Sequence, residues 1–356
     1  MATLIFPAVN RPALAYRDEA AQRGEAIVAA SSVYDAGMES AFGHLVVLPY
    51  VYDSAFHDAF SQLLASRDID RVYAPVASVH AFLQVYFARE GLPVKLVGAS
   101  PIAVQVAAYR ELLARAAALR PSAAACSSRP ADVPSVLEIA AILKHAEDIY
   151  GESNDEKLVA IAGIFPEVPK GDVIEIGSLM GRSAFVLQYL ARRYDTGAVL
   201  SVDPLAPEAS FQHDIPGDVQ STMDDQWDYD VLRRAFVVNT LPTAAGRFNY
   251  LRATSADGVR IYESTRTVRT PEFGEVHYEG TIAVIHIDGN HDYAHVKEDC
   301  DLWLPALRPG GWLVLDDYVW AHGDGPYRVG NALLESRGKE IRRAFLCGKA
   351  LFVQFT

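Results

Sequence analysis

Residues 284–318 read VIHIDGNHDYAHVKEDCDLWLPALRPGGWLVLDDY. One run of buried-strand residues stops abruptly at Asp288, Gly289, Asn290, His291 and Asp292. A second, WLVLDD, stops at Asp316 and Asp317. Continuous apolar runs bounded by polar residues are the pattern of strands covered on both faces, as in a parallel sheet. In open α/β sheets, ligands bind beyond the carboxyl ends of the strands. Carboxylates and an imidazole collected at two such ends are therefore candidate site residues.

The same pattern continues outward. VIEIG (173–177), VLSVD (199–203) and FNYLRA (248–253) are further strands, separated by helical stretches. IRRAFLC and ALFVQFT flank Gly348 and read as an antiparallel hairpin closing the sheet. The second half thus holds seven strands, five of parallel type and two at the end. Two helices precede them, SVLEIAAILKHAEDIYG and NDEKLVAIAGIF. Residues 121–134 are rich in Ala, Ser and Pro without periodicity and read as a linker. The first 120 residues alternate strand candidates (LIFPAV, AIVAAS, HLVVLPYV, RVYAPV, KLVGAS) with helices, which predicts a smaller α/β domain. The expected division is 1–120, a linker over 121–134, and 135–356.

With 356 residues, 50% hydrophobic and 22% charged, the chain has the balance of a globular protein. A formal net charge of −13 repels phosphate backbones and anionic lipid, so neither nucleic acid nor a membrane is the expected partner. Cys126, Cys300 and Cys347 lie far apart with no CxxC, which fits a reducing compartment rather than a disulfide framework or a zinc site. The N-terminus lacks a basic region before its short apolar run, and no stretch reaches the roughly 20 apolar residues of a membrane span. The expected location is cytoplasmic.

Five consecutive strand ends carry oxygen ligands. The first runs Glu175, Ile176, Gly177, Ser178, Leu179, Met180, Gly181, Arg182, Ser183 into a helix. Gly177 permits a tight turn, Gly181 permits close backbone approach, and the helix N-terminus offers free N–H groups to a polar ligand. Leu179 stands where a dinucleotide fingerprint needs its middle glycine, which argues against a nicotinamide-dependent oxidoreductase. The second strand ends at Asp203, whose carboxylate can bridge two ribose hydroxyls. The third ends near Thr254, Ser255 and Asp257.

Glu175-x-Gly177 with Gly181, followed by Asp203, resembles the class I S-adenosylmethionine-dependent methyltransferases. The 284–318 block is similar to one branch of them, which includes metal-assisted macrolide-sugar O-methyltransferases and cephalosporin-hydroxylase-like proteins. The resemblance covers about residues 135–356. It implies a Rossmann-like seven-stranded sheet with a terminal antiparallel hairpin, preceded by the smaller α/β domain. It implies that Glu175 and the Gly177–Gly181 turn, with Ser178 and Ser183, contact the methionine end of the cofactor. Asp203 would hold the ribose, Ser255 would lie near the adenine, and Asp288 would border the cofactor. In this branch an Asp matching Asp288 and an acidic pair matching Asp316 and Asp317 bind Mg²⁺, and a His matching His291 is the general base. The first member of the pair is Asp here where relatives carry Glu. The N-terminal part resembles the small domain that precedes ATP-grasp folds, although no ATP-grasp segment follows.

The expected activity is methylation of a small-molecule hydroxyl, on a sugar or glycosylated metabolite, with a divalent cation and His291 activating the acceptor. The alternative is a non-catalytic binding or scaffold protein on a methyltransferase-like fold. Whether the chain forms a homo-oligomer stays open. Residues 205–230 read as a lid carrying Phe211, His213, Trp227 and Tyr229. Residues 258–280 read as a hairpin beside the site. Asp292 reads as a helix N-cap, and His286, His295 and Cys300 as structural.

Overall fold

β6 (Asp172–Ile176), β7 (Val199–Val202) and β11 (Ile282–Ile287) are buried along their whole length. That burial explains their unbroken apolar sequence, because a parallel strand covered on both faces has no solvent side to mark with polar residues. With β8 (Phe248–Leu251), β12 (Leu307–Leu315), β13 (Ile341–Cys347) and β14 (Ala350–Phe355) they form a seven-stranded sheet in the order β13-β14-β12-β11-β6-β7-β8. β11 pairs parallel with both β12 and β6, β6 with β7, and β7 with β8. β14 runs antiparallel to β12 and β13. All seven expected strands are present, with the terminal hairpin in its expected place.

This computed structural model describes residues 2–207, 211–213, 217, 227–319 and 323–356. The chain divides into two compact units, Met1–Glu111 and Leu112–Thr356. In the first, β1 (Ala2–Ile5), β2 (Ile27–Ser31), β3 (Leu45–Val47), β4 (Ile69–Tyr73) and β5 (Lys95–Val97) form a parallel sheet in the order β3-β2-β1-β4-β5. α1 (Arg11–Gln22), α2 (Ala36–Phe42), α3 (Phe56–Ser66) and α4 (Ala77–Glu90) connect them. Its core is aromatic: Phe6, Phe56, Phe60, Tyr86 and Phe87 are buried together.

The division falls inside α5 (Pro101–Ala125), not at the expected linker. Residues 121–125 are helical, and Ala123, Cys126 and Val133 are buried. Alanine is common in linkers and also the strongest helix former, and here its small size serves packing. A Cβ on Gly163 would lie 2.4 Å from the Ala123 carbonyl oxygen. The stretch is therefore part of the second unit's core.

α6 (Val136–Glu147) and α7 (Asp155–Ile164) follow. Ser135 and Glu138 form a capping box at the start of α6. In α7 every residue from Lys157 to Ile164 is buried, Lys157 included. α8 (Arg182–Arg193), α9 (Tyr229–Thr240), α10 (Ser255–Thr265), α11 (Tyr293–Trp303) and α12 (Gly325–Ser336) complete the helical layers.

β9 (Thr267–Thr270) and β10 (Gly274–His277) form the hairpin expected within 258–280, with α10 occupying the first part of that stretch. It does not lie beside the strand ends that carry the acidic residues. The Asp172 carboxylate, at the start of β6, accepts from the backbone N–H groups of Glu279 and Gly280. The hairpin is thus tied to the amino end of the sheet.

Candidate functional site

The carboxyl ends of β6, β7, β11 and β12 meet in one place. Gly177 (φ +79°) turns the chain out of β6, and a Cβ there would stand 2.2 Å from the Asp288 carbonyl oxygen. No side chain fits between these two strand ends. Gly181 (φ +88°) opens α8, where a Cβ would meet Thr240 at 2.8 Å. Leu179, between them, is itself at φ +46°, an uncommon conformation for a branched residue. Asn239 donates to the Met180 carbonyl and Arg182 to the Gly151 carbonyl, which hold the loop in this shape. α8 starts without a side-chain cap, so its first N–H groups are suited to a ligand's carboxylate.

Asp203 closes the loop. Its Oδ2 accepts from the backbone N–H groups of Ser178 (2.7 Å) and Leu179 (3.1 Å), and its Oδ1 from Leu205 (2.8 Å). A carboxylate has about four acceptor positions, so about one remains. Three backbone N–H groups thus engage the carboxylate expected to hold a ribose, so Asp203 shapes the glycine loop and keeps capacity for about one further bond. Burial pushes its carboxyl up, against the three N–H donors.

Glu175, expected at the methionine end of the cofactor, is likewise engaged by the protein. It is 0% exposed and meets no open space. Its Oε2 accepts from Ser178 (2.9 Å) and Ser201 (2.7 Å), and its Oε1 lies 3.4 Å from His286 Nδ1. These bonds tie it to the loop and to β7. Ser178 and Ser183 are buried at the loop and in the first turn of α8. Ser255 opens α10, and its hydroxyl accepts from the Trp303 indole at 2.9 Å. Beside it, burial pushes Asp299, which the sequence reading missed, up to about 7.

The acidic residues expected to hold a divalent cation are brought together, and each has a cationic partner from the chain. Lys157 Nζ lies 2.9 Å from Asp288 Oδ2, bonds Asp316 Oδ2, and lies 3.4 Å from His286 Nε2. Lys157 and His286 are 0% exposed and Asp316 2%, whereas the Asp288 side chain keeps about a fifth of its surface open. Asp317, at φ +51°, has Oδ1 2.6 Å from Lys349 Nζ and Oδ2 2.9 Å from His291 Nε2. The terminal hairpin delivers this second lysine. Its turn residue Gly348 (φ +59°) packs so tightly on the start of α7 that a Cβ would meet Asn154 at 2.5 Å.

The electrostatics follow from these contacts. Burial acts against the Lys157 charge, but Asp288 and Asp316 outweigh it and its pKa stands raised. Burial also acts against ionised Asp288, and Lys157 and His286 hold it far below the carboxylate range. Asp316, deeper and beside the Asp288 charge, is pushed up to about 6. For His291 burial works downward; the hydrogen bond and charge of Asp317, with the charges of Asp288 and Asp316, raise its pKa above the ordinary 6.5. Burial acts against ionised Asp317 too, but the hydrogen bond and charge of His291, together with the Lys349 hydrogen bond, hold its pKa lowered.

Ligand atoms of His286, Asp288 and Asp316 lie within 4.8 Å of one another, as do those of Asp288, His291 and Asp317. The donor chemistry suits a cation, but the Lys157 ammonium already stands in the first set. A divalent ion about 4 Å from it would meet a repulsion on the order of 8 kcal/mol at an effective dielectric of about 20. The residues as arranged do not fit Mg²⁺ at the Asp288–Asp316 pair. Sequence reasoning missed Lys157, Lys349 and the polar role of His286.

Asp292 sits at the N-cap position of α11, as expected, without making a side-chain cap bond. Its carboxylate instead accepts from the His213 backbone N–H (3.0 Å) and meets His213 Nδ1 at 2.6 Å. Asn290 donates to the Phe211 carbonyl at 2.7 Å. The described part of the expected lid is therefore fastened to the 288–292 loop. Residues 208–210, 214–216 and 218–226 of it lie outside the described residues. A cavity of about 320 Å³ between α11 and α12, lined by Tyr293, Cys300, Leu304 and Val329, includes none of the strand-end groups.

This arrangement of glycine loop and acidic strand ends falls within a family match over residues 174–318, described as a methyltransferase domain. Solved structures similar to the chain include the O-methyltransferase NovP, at 18% identity over 62% of this chain and 81% of that one, TM-score 0.38. An O-methyltransferase from Bacillus cereus in complex with SAH shares 11% identity over 64% and 94%, TM-score 0.38. MycE, of the mycinamycin biosynthetic pathway, in complex with Mg, SAH and mycinamycin VI, shares 15% over 52% and 45%, TM-score 0.30. Similarity this distant says nothing about substrate or metal. A comparison with curated proteins returns no match. No helix among the described residues is long and apolar enough to cross a membrane.

Proposed function

We propose that the chain transfers a methyl group from S-adenosylmethionine to a hydroxyl oxygen of a small molecule, a sugar or glycosylated metabolite. The observation that carries this reading is a single one. Within the segment that matches a methyltransferase domain, the Asp203-closed glycine loop and the His291–Asp317 pair lie at the carboxyl ends of strands of one sheet.

When bound, S-adenosylmethionine supplies an electrophilic methyl on its sulfonium sulfur. The 177–181 loop and the uncapped start of α8 receive its amino-acid end. Asp203 offers its remaining acceptor position to one ribose hydroxyl. His291 takes the proton of the acceptor hydroxyl at Nδ1, while Nε2 stays on Asp317, whose negative charge stabilises the imidazolium that forms. The lid segment fastened by Asn290 and Asp292 limits water at the reacting atoms.

The test is transfer of isotope-labelled methyl from S-adenosylmethionine to a panel of sugars and glycosylated metabolites, with the product's labelled atom identified. Label on a hydroxyl oxygen, reduced on the order of 10²- to 10⁴-fold in His291→Ala, is the expected result. Label on nitrogen, or full transfer by the variant, overturns it.

A further inference from the structure

We infer that Lys157 is a built-in cation that takes the place of a divalent ion between Asp288 and Asp316, so that this chain needs no metal at that pair. The inference deepens the methyl-transfer reading and rests on it for the role it assigns.

The atoms that would chelate an ion are the atoms the ammonium addresses. His286, Asp288 and Asp316 form one candidate cation set, and the three N–H bonds of Lys157 have these three partners. The second set, Asp288, His291 and Asp317, is also answered from within the chain, because Asp317 has Lys349 on one oxygen and His291 on the other. Neither lysine arrives by accident of a flexible surface. Lys157 is wholly buried in α7, capped by Asn154, and the hairpin turn at Gly348 packs against that cap and places Lys349.

The charge count suits a base. The three carboxylates and two ammoniums leave one net negative charge beside His291, which favours its accepting a proton. A divalent ion in the same cluster would make it positive and oppose the imidazolium. Lys157 does not reach the acceptor, since its N–H groups are taken. It is a positioning residue: it keeps Asp288 ionised and fixed at the open face.

The experiment uses the full chain after treatment with a chelator and follows Mn²⁺ binding by electron paramagnetic resonance. The proteins compared are wild type, Asp316→Asn, Lys157→Met and Lys157→Met/Asp316→Asn. Wild type and Asp316→Asn are expected to bind Mn²⁺ equally weakly. Lys157→Met is expected to bind at least about tenfold more tightly, because it frees two carboxylates, and the double variant is expected to lose that gain. Methyl transfer by the wild type persists in chelator; in Lys157→Met it is lost and returns with Mn²⁺. A wild-type Mn²⁺ site abolished by Asp316→Asn overturns the inference, and this pair decides it even where Lys157→Met fails to fold. The binding arms need no transfer, so they stand apart from failure of the methyltransferase reading.

Discussion

Lys157 and Asp288 are 131 positions apart in the chain and 2.9 Å apart in the fold. One comes from the first turn of a buried helix, the other from the end of a central strand. Their meeting explains how a sheet tolerates acidic residues at adjacent strand ends. Mutual repulsion there would oppose folding, and a lysine without solvent exposure offsets it.

Removal of that lysine leaves buried Asp316 and half-buried Asp288 without their shared cation. Lys157→Ala is expected to lose about 3–5 kcal/mol of stability, the cost of breaking a buried pair. Urea denaturation of both proteins measures it. A loss below about 1 kcal/mol, the range of a surface pair, would show that the ammonium is not where the fold places it.

Gly177→Ala meets two obstacles at once, a φ of +79° and the Asp288 carbonyl 2.2 Å from the new carbon. Gly246, at φ +72°, has nothing within 4 Å of its would-be Cβ. Gly246→Ala should cost about 1 kcal/mol from backbone conformation alone, and Gly177→Ala clearly more, with loss of cofactor binding. Equal melting temperatures for the two variants would contradict the strand-end contact.

His291 must be neutral to act as base, and Asp317 raises its pKa above 6.5. Turnover is therefore expected to rise with pH through that raised value. Asp317→Asn removes the largest raising contact, so the rising limb should move to lower pH while the plateau falls. A pH–rate profile unmoved by Asp317→Asn would remove His291 from the chemistry. The pair also links to stability. The His291 contribution is fully present below the unfolded pKa of 6.5 and is lost as pH rises through the raised folded value. The Asp317 contribution is present above 3.8 and is lost as pH falls through its lowered value.

Asp292→Ala frees the described lid segment at His213. The His213 side chain is largely exposed, so the effect should be modest, a weakening of cofactor binding by about tenfold or less. Stopped-flow dissociation should show faster release. Unchanged release would mean that this segment does not cover the cofactor.

The strands were legible because parallel strands buried on both faces read as unbroken apolar runs, and because polar residues mark where they stop. His291, Asp288, Asp316 and Asp317 were legible for the same reason. Lys157 was not, since nothing near it in sequence names its partners. A signal was present nonetheless. From Leu158 to Ile164 the helix is apolar all round, which marks it as buried, and a lysine at its head must then find an anion inside. Residues 121–134 misled because alanine serves loop composition and close helix packing equally. Asp203 was read for its ligand capacity, whereas the loop N–H groups that consume most of it follow from backbone geometry alone.

The most direct measurement is calorimetric titration of the full chain with S-adenosylmethionine, beside Asp203→Ala. Saturable binding by the wild type, weakened at least about tenfold when the three loop N–H groups lose their acceptor, is the predicted result. No binding by the wild type, or equal affinity in the variant, would contradict the assignment of the strand ends as the cofactor site.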